Sequence, residues 1–187
     1  MAASLVLGAV GGCGEVLHAP LDELRQPTGM ALSPREGYLL VANGDWGQRL
    51  DSSSLVAVDL EALERGLRSP LAAGESTHAD RPCRRTGDGR VECEPGALID
   101  GDLSLRFGRG AVNIAMDIRA SDRARALIPT RIDAGLTWID VEENNAGALH
   151  MSCAQDLDRF CGGEHVRDDV GISPARVRVD EEGYPFA

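Results

Sequence analysis

Pro27 to Leu60 reads PTGMALSPREGYLLVANGDWGQRLDSSSLVAVDL, and three short strands joined by two turns account for it. Gly29 to Leu32 is short and apolar, as a buried inner strand should be. Ser33-Pro34-Arg35-Glu36-Gly37 is turn chemistry, because proline pre-sets φ and glycine accepts positive φ. Tyr38 to Ala42 is a near-continuous apolar run of strand length, rich in β-formers. Asn43-Gly44-Asp45 breaks it. Ser54 to Leu60 then alternates, with Leu55, Ala57 and Asp59 on one side and Val56, Val58 and Leu60 on the other. Both sides are mostly apolar, so this strand is expected to lie between two sheets.

The pattern recurs downstream. Asn113-Ile114-Ala115-Met116-Asp117-Ile118 echoes Pro27 to Leu32, and Ala120 to Ala124 takes the place of the Ser-Pro turn. Arg125 to Thr130 echoes the Tyr38 strand, with Pro129 inside it at what should be an exposed or bulged position. Leu136-Thr137-Trp138-Ile139-Asp140-Val141 matches Leu55 to Leu60, the aspartate falling at the same place in both copies. Repetition in fixed order is the mark of a propeller or solenoid.

These residues resemble the YVTN/NHL-like β-propeller repeats. The likeness is carried by Pro27-x-Gly29, Ser33-Pro34-x-x-Gly37, the LVAN of Leu40 to Asn43 and the Val-x-Val-Asp strand, over about half of the chain. Arg35-Glu36 departs from the usual Asp-Gly, and the second copy lacks the Ser-Pro pair. The resemblance implies an all-β fold of four-stranded antiparallel blades with long disulfide-bearing loop insertions. Blade 1 would span 27–108 with an insertion at 61–96, and blade 2 would span 109–180 with an insertion at 142–173. A third would begin at 181–187. A closed propeller has roughly four to eight blades, so an incomplete propeller is expected, its open edges covered by a partner or another copy.

The remaining segments fit around this scheme. Asp59 to Gly66 reads as a helical turn in which Leu60, Leu63 and Leu67 pack. Ala97 to Phe107 should return as the outer strand of the first blade, Glu142 to Gly147 as a turn, and Ala175 to Asp180 as the outer strand of the second.

The N-terminus reads as an address. Ala2 to Gly12 is apolar, uncharged and too short to cross a bilayer. It runs into Val10-Gly11-Gly12-Cys13, which resembles a bacterial lipobox. That implies a signal peptide at 1–12, a lipid on Cys13 and a linker at 13–26, although the basic n-region of a signal peptide is missing. Gly14 and Glu15 offer no aspartate-type retention signal, which points to an outer-membrane lipoprotein facing the periplasm or exterior. Membrane contact would then be through the lipid alone.

Setting Cys13 aside leaves Cys83, Cys93, Cys153 and Cys161. An even set in an exported protein suggests two disulfides. Cys83–Cys93 and Cys153–Cys161 are favoured because each closes a short loop inside one insertion. The rival is a zinc site made of His150, Cys153, Cys161 and His165, residue types that suit the metal.

The net charge of −11 argues against a nucleic-acid partner. Arg81, Arg84, Arg85 and Arg90 form a local basic cluster, read as a solvated face. The spaced aspartates Asp100, Asp102, Asp156 and Asp158 read as surface pairs. In a propeller, the loop between second and third strands faces the ligand, which nominates Asn43, Asp45, Trp46, Arg49 and Asp51. Asp45 and Asp51 are candidate calcium ligands. No Walker A, nucleophile-elbow or His-Glu-x-x-His motif occurs. The inner strands offer only Asn113 and Asp117 to a catalytic channel. The expectation is a non-catalytic, envelope-anchored binding scaffold for an unknown protein or small ligand, without a resident cofactor. The alternatives are a propeller hydrolase or oxidoreductase with a metal or cofactor in its channel, and a zinc-binding extracellular module.

Overall fold

The computed structural model describes residues 17–44, 49–77 and 81–167. The three expected strands form as β1 (Pro27–Leu32), β2 (Tyr38–Asn43) and β3 (Ser53–Asp59). The turn between β1 and β2 closes through Ser33, whose amide donates to Tyr38 O at 2.9 Å and whose Oγ accepts from the Tyr38 amide at 3.0 Å. Glu36 supplies the left-handed residue of that turn (φ 63°).

Helix α1 (Leu60–Arg68) starts directly after β3, with the Asp59 carboxylate capping the Ala62 amide at 2.8 Å. Of the leucine stripe the sequence suggests, Leu63 packs against a second core cluster and Leu60 is half-buried, but the most deeply buried residues are others. Ala62 and Gly66 are buried, one turn apart, while Leu67 is 49% exposed. Small residues win because the helix lies hard against the first disulfide: a Cβ on Gly66 would meet Cys83 Sγ at 2.6 Å and Pro82 Cγ at 2.8 Å. That disulfide staples a two-stranded hairpin, β4 (Cys83–Arg85) with β5 (Val91–Cys93), in which the two cysteines stand directly opposite one another.

The expected outer strand at 97–107 is realised in two pieces. Ile99 bridges Val58, Asp100 to Ser104 turn, and only β6 (Leu105–Phe107) pairs with Ser53–Leu55. The interruption has a local cause: Asp100 Oδ1 accepts the Asp102 amide at 2.8 Å, a turn that side-chain oxygens of this length favour. Sheet 1 is therefore antiparallel with strand order β1-β2-β3-β6.

Sheet 2 repeats the order. It comprises β7 (Ala115–Ala120), β8 (Arg123–Thr130), β9 (Gly135–Glu143) and β10 (Leu149–Ser152), in the order β10-β9-β8-β7. A two-residue strand, β11 (Val166–Arg167), pairs with the first half of β9 beyond the end of β10. The turn expected at 142–147 begins two residues later, because β9 runs through Glu143. Asn144 Oδ1 then closes the hairpin on the Ala146 and Ala148 amides. The fourth-strand position is thus filled from within the segment read as an insertion. Residues 175–180 and 181–187 lie outside the described residues.

Pro129 is neither bulged nor out of place, since β8 and β9 pair without a shift from Arg123 to Thr130. Its carbonyl accepts from Val112 on the side away from β9. The nitrogen of the same residue points the same way, past the start of β7, where no ladder bond is lost.

The pairing puts the two sheets in register. Tyr38 faces Asp59 as Arg125 faces Asp140, so Leu40 and Ala57 of sheet 1 correspond to Leu127 and Trp138 of sheet 2. The same rule equates Leu32 with Met116 and Met30 with Ile114, two residues away from the match read off the sequence. Call the Leu40, Ala42, Leu55 and Ala57 side of sheet 1 its front, and the Leu39, Val41, Val56 and Val58 side its back. The main core joins that front, with Leu105 and Phe107, to Ala126, Ile128, Ile139 and Val141 of sheet 2. Those four are back positions. The sheets therefore stack front on back, as successive copies of a repeat do, and not as mirror-related faces. Each large aliphatic side chain so buried is worth about 1.5–3 kcal/mol. The chain before β7 lies hard against β1 at Gly29, where a Cβ would meet Ile114 N at 2.7 Å.

Polar contacts lock the stack. The buried Glu143 reaches from sheet 2 into the Ser33–Gly37 turn of sheet 1 and accepts Ser33 Oγ (2.7 Å), the Arg35 amide (2.8 Å) and the Gly37 amide (3.2 Å). Arg35 returns the contact, donating from Nε to the Glu143 carbonyl at 3.0 Å. At the far edge, β6 is bridged to the loop of the second disulfide, with the Arg106 amide donating to Arg159 O and the Cys161 amide to Arg106 O.

Candidate functional site

The loop after β2 was the expected ligand-facing element, and its described residues are engaged in structure. Asn43 is buried (3% exposed) and fully occupied. Its Oδ1 accepts the Arg25 amide at 3.1 Å, and its Nδ2 donates to Glu23 O at 3.0 Å and Ser54 Oγ at 3.2 Å. Asp51 holds His18 Nδ1 at 2.7 Å and accepts Ser52 Oγ at 2.9 Å, while Ser52 Oγ accepts the Ala19 amide at 3.2 Å. Arg106 completes the clamp through Nε to Ala19 O at 2.8 Å. Residues 17–26, read as a linker, are thus bonded along the end of sheet 1. Each oxygen of Asp51 thus takes part in one hydrogen bond within the chain. Arg49 is exposed. Asp45, Trp46 and Cys13 lie outside the described residues.

The cysteines pair as expected, Cys83 with Cys93 and Cys153 with Cys161. That overturns the zinc alternative of His150, Cys153, Cys161 and His165, because a sulfur in a disulfide has no thiolate to offer. His165 is also committed, its Nδ1 at 2.9 Å from Trp138 O and its ring stacked on Trp138. His150 stands exposed opposite Glu142 on β10. Among the described residues no group of three or more His, Cys, Asp or Glu could hold a metal ion.

The channel candidates do not converge. Asn113 Oδ1 accepts the amide of its own neighbour Ile114, and Asp117 pairs with Arg119 at 2.7 Å. The basic cluster is spent locally: Arg84 faces Glu92, Arg90 faces Asp88, and Arg81 and Arg85 reach the carbonyls of Ser69 and Gly89. Asp156, like Asp100, makes a turn, accepting the Asp158 and Phe160 amides. Arg125 and Asp140 form an ion pair at 2.7 Å, which raises the guanidinium's affinity for its proton.

Tyr38 is the one described tyrosine, and its phenol is pushed up from its ordinary value, first by burial and then by the nearby carboxylates Asp59, Glu143 and Asp100. With Ala57, Leu98 and Leu103 it lines a cleft of about 330 Å³.

What the sequence reading missed lies on the back of sheet 1. Met30, Leu39, Val41 and Val58 floor a groove of about 280 Å³, walled by Leu24, Pro27, Leu63, Cys93, Pro95, Leu98 and Ile99. No charged side chain lines it. Met30 is 64% exposed there and Leu32 44%. The signal was present in the alternation of β1 but was absorbed into a single apolar run. Glu143 was missed for a similar reason: on β9 it alternates with the buried Val141 and Ile139, which puts a carboxylate at a core position.

No protein family matches the chain, no curated protein was found similar to it, and no solved structure matches its fold. The two disulfides mark a protein that folds in an oxidising compartment outside the cytoplasm. Among the described residues no helix is long and apolar enough to cross a membrane.

Proposed function

We propose that the chain is a non-catalytic binding scaffold of the β-propeller type, held at a bacterial envelope by a lipid on Cys13. One observation carries the binding role. Asn43 and Asp51 of the expected ligand loop hold the chain to itself, whereas the back of sheet 1 keeps a charge-free groove with Met30 64% exposed. Clefts lined by apolar side chains are a usual place for a ligand or partner to bind. The repeat of antiparallel sheets, one of four strands and one of five, stacked front on back supports the propeller reading. The two disulfides support an exported address.

A photo-reactive residue in place of Met30, activated in intact cells, tests the binding role. A discrete cross-linked product at position 30, with none from the same residue at the fully exposed Leu157, is expected. Equal, diffuse labelling at both positions would defeat the scaffold reading. Intact mass of the membrane-extracted protein tests the address, which predicts a diacylglycerol adduct on a chain beginning at Cys13.

A further inference from the structure

We propose that a second copy of this chain docks on the back of sheet 1 through the front of its own sheet 2. The inference rests on the scaffold reading and names the partner that its groove receives.

The chain already uses one rule of association, front on back, where sheet 1 meets sheet 2. That rule leaves a used front and a used back inside the molecule. Among the described residues it also leaves a back on sheet 1 and a front on sheet 2 that no other sheet covers. The register shows what covering does to the same positions. Ile114 on the back of sheet 2 is 6% exposed beneath sheet 1, and its counterpart on the back of sheet 1, Met30, is 64% exposed. Met116 packs against the main core, and its counterpart Leu32 is 44% exposed. Helix α1 and the 95–99 segment cover β3 and Val41 of β2 on this back, so that the open part is the β1 strip of Met30 and Leu32, with the groove running between it and that cover.

The front of sheet 2 presents the matching surface. Ala115, Leu127, Pro129, Leu136 and Trp138 hold the positions that Ala31, Leu40, Ala42, Leu55 and Ala57 hold on sheet 1. All five are apolar; Ala115 is exposed and the rest are half-buried, Trp138 being stacked with His165, and Asp117, Arg125 and Asp140 stand beyond them on the same front. A groove without a charged lining asks for such a partner, since an unpaired polar group buried there would lose its water without replacement. The joint is between unlike faces, so it does not stop at two: copies add head to tail, into a ring if the rotation closes and a filament if it does not.

Sedimentation velocity of the full chain over a range of concentrations tests this, with Met30→Arg to block the back and Ala115→Arg to block the front. Both positions are exposed, so both variants should keep the wild-type thermal midpoint, which is measured alongside. The wild type should pass beyond a dimer as concentration rises. Each variant alone should weaken association by roughly 30-fold or more, the effect of losing a central interface residue. An equimolar mixture of the two retains one intact back and one intact front. It should form a species of about twice the monomer mass and no larger. A wild type monomeric throughout, a dimer abolished by Met30→Arg alone, or association that neither variant changes would each overturn the proposal. A cross-link from position 30 to a different protein would leave the scaffold reading standing and remove the second copy as its partner.

Discussion

Replacing Glu143 with alanine isolates the contact that joins the two sheets through their polar groups. The carboxylate accepts Ser33 Oγ at 2.7 Å and the Arg35 and Gly37 amides at 2.8 and 3.2 Å. A hydrogen bond to a charged group contributes about 1.5–3 kcal/mol net, and a buried donor left without a partner costs about 1–3 kcal/mol. The three terms do not add in full. Ser33 Oγ can turn to another acceptor while still accepting from Tyr38, and the two amides sit where the turn is partly open to water. The expected loss is therefore about 3–4 kcal/mol, in line with removing one partner of a buried charged contact. That is a large share of the roughly 5–15 kcal/mol available to a domain. Urea unfolding followed by tryptophan fluorescence reads it, Trp138 lying on β9 five residues before the substitution. Two further variants sharpen the result. Ser33→Ala with Glu143→Ala should show a coupling of about 1–2 kcal/mol in a double-mutant cycle. Gly37→Ala should act in the same direction as Glu143→Ala, since a Cβ there would meet Glu143 Oε1 at 2.3 Å. If Glu143→Ala costs less than about 1 kcal/mol, the carboxylate is not the lock between the sheets and this account of it is wrong.

Three other outcomes follow from the same structure. Intact mass should rise by four hydrogens on reduction, and replacing either cysteine pair by alanines should cost about 2.5–3 kcal/mol in urea, from loops closed at separations of 10 and 8 residues. The Tyr38 phenol is raised in the folded chain by burial and by Asp59, Glu143 and Asp100, so its folded form keeps its proton after the unfolded form has lost it. Stability from this group is full below about pH 10 and declines above it. Tyr38→Phe should flatten that alkaline decline, and an unchanged slope would count against it. Gly66→Ala should lower stability by about 1–3 kcal/mol despite alanine's better helix propensity, because its methyl would overlap Cys83 Sγ and Pro82. A rise in thermal midpoint would show that the helix has room to move away.

The first three strands of each sheet and the disulfide pairing were legible because each rests on local chemistry. Apolar runs of strand length bounded by Ser-Pro-x-x-Gly or Asn-Asn-Ala-Gly leave few alternatives, and cysteines 10 and 8 residues apart have near neighbours to bond. What was not legible depended on a second segment arriving from far along the chain. Asn43 and Asp51 look like a ligand loop until His18, Glu23 and Arg25 are placed against them. Glu143 looks like a surface acid until the turn at Ser33 to Gly37, more than 100 residues away, is seen to donate to it. Leu67 looks like a packing residue beside Leu63 until the disulfide takes the face that Ala62 and Gly66 leave low. In each case the side chain's chemistry was read correctly and its partner was not.

The two aspartates at one repeat position show how far equivalence carries. Asp59 and Asp140 occupy the same place in register, yet Asp59 caps helix α1 and Asp140 pairs with Arg125. The backbone fixes where these carboxylates stand, and their neighbours decide what they do. Equivalence is therefore a poor guide to the role of a polar residue and a better one to the role of a face. A strand's alternation sends Met30 and Ile114 to the same side of their sheets whatever surrounds them. An apolar face is stabilised by being covered, without regard to the identity of the cover. The open back of sheet 1 consequently differs in kind from the ligand loop as a sign of function. Asn43 and Asp51 of that loop already have partners within the chain, and the exposed surface of Met30 and Leu32 has none among the described residues that removes it from water.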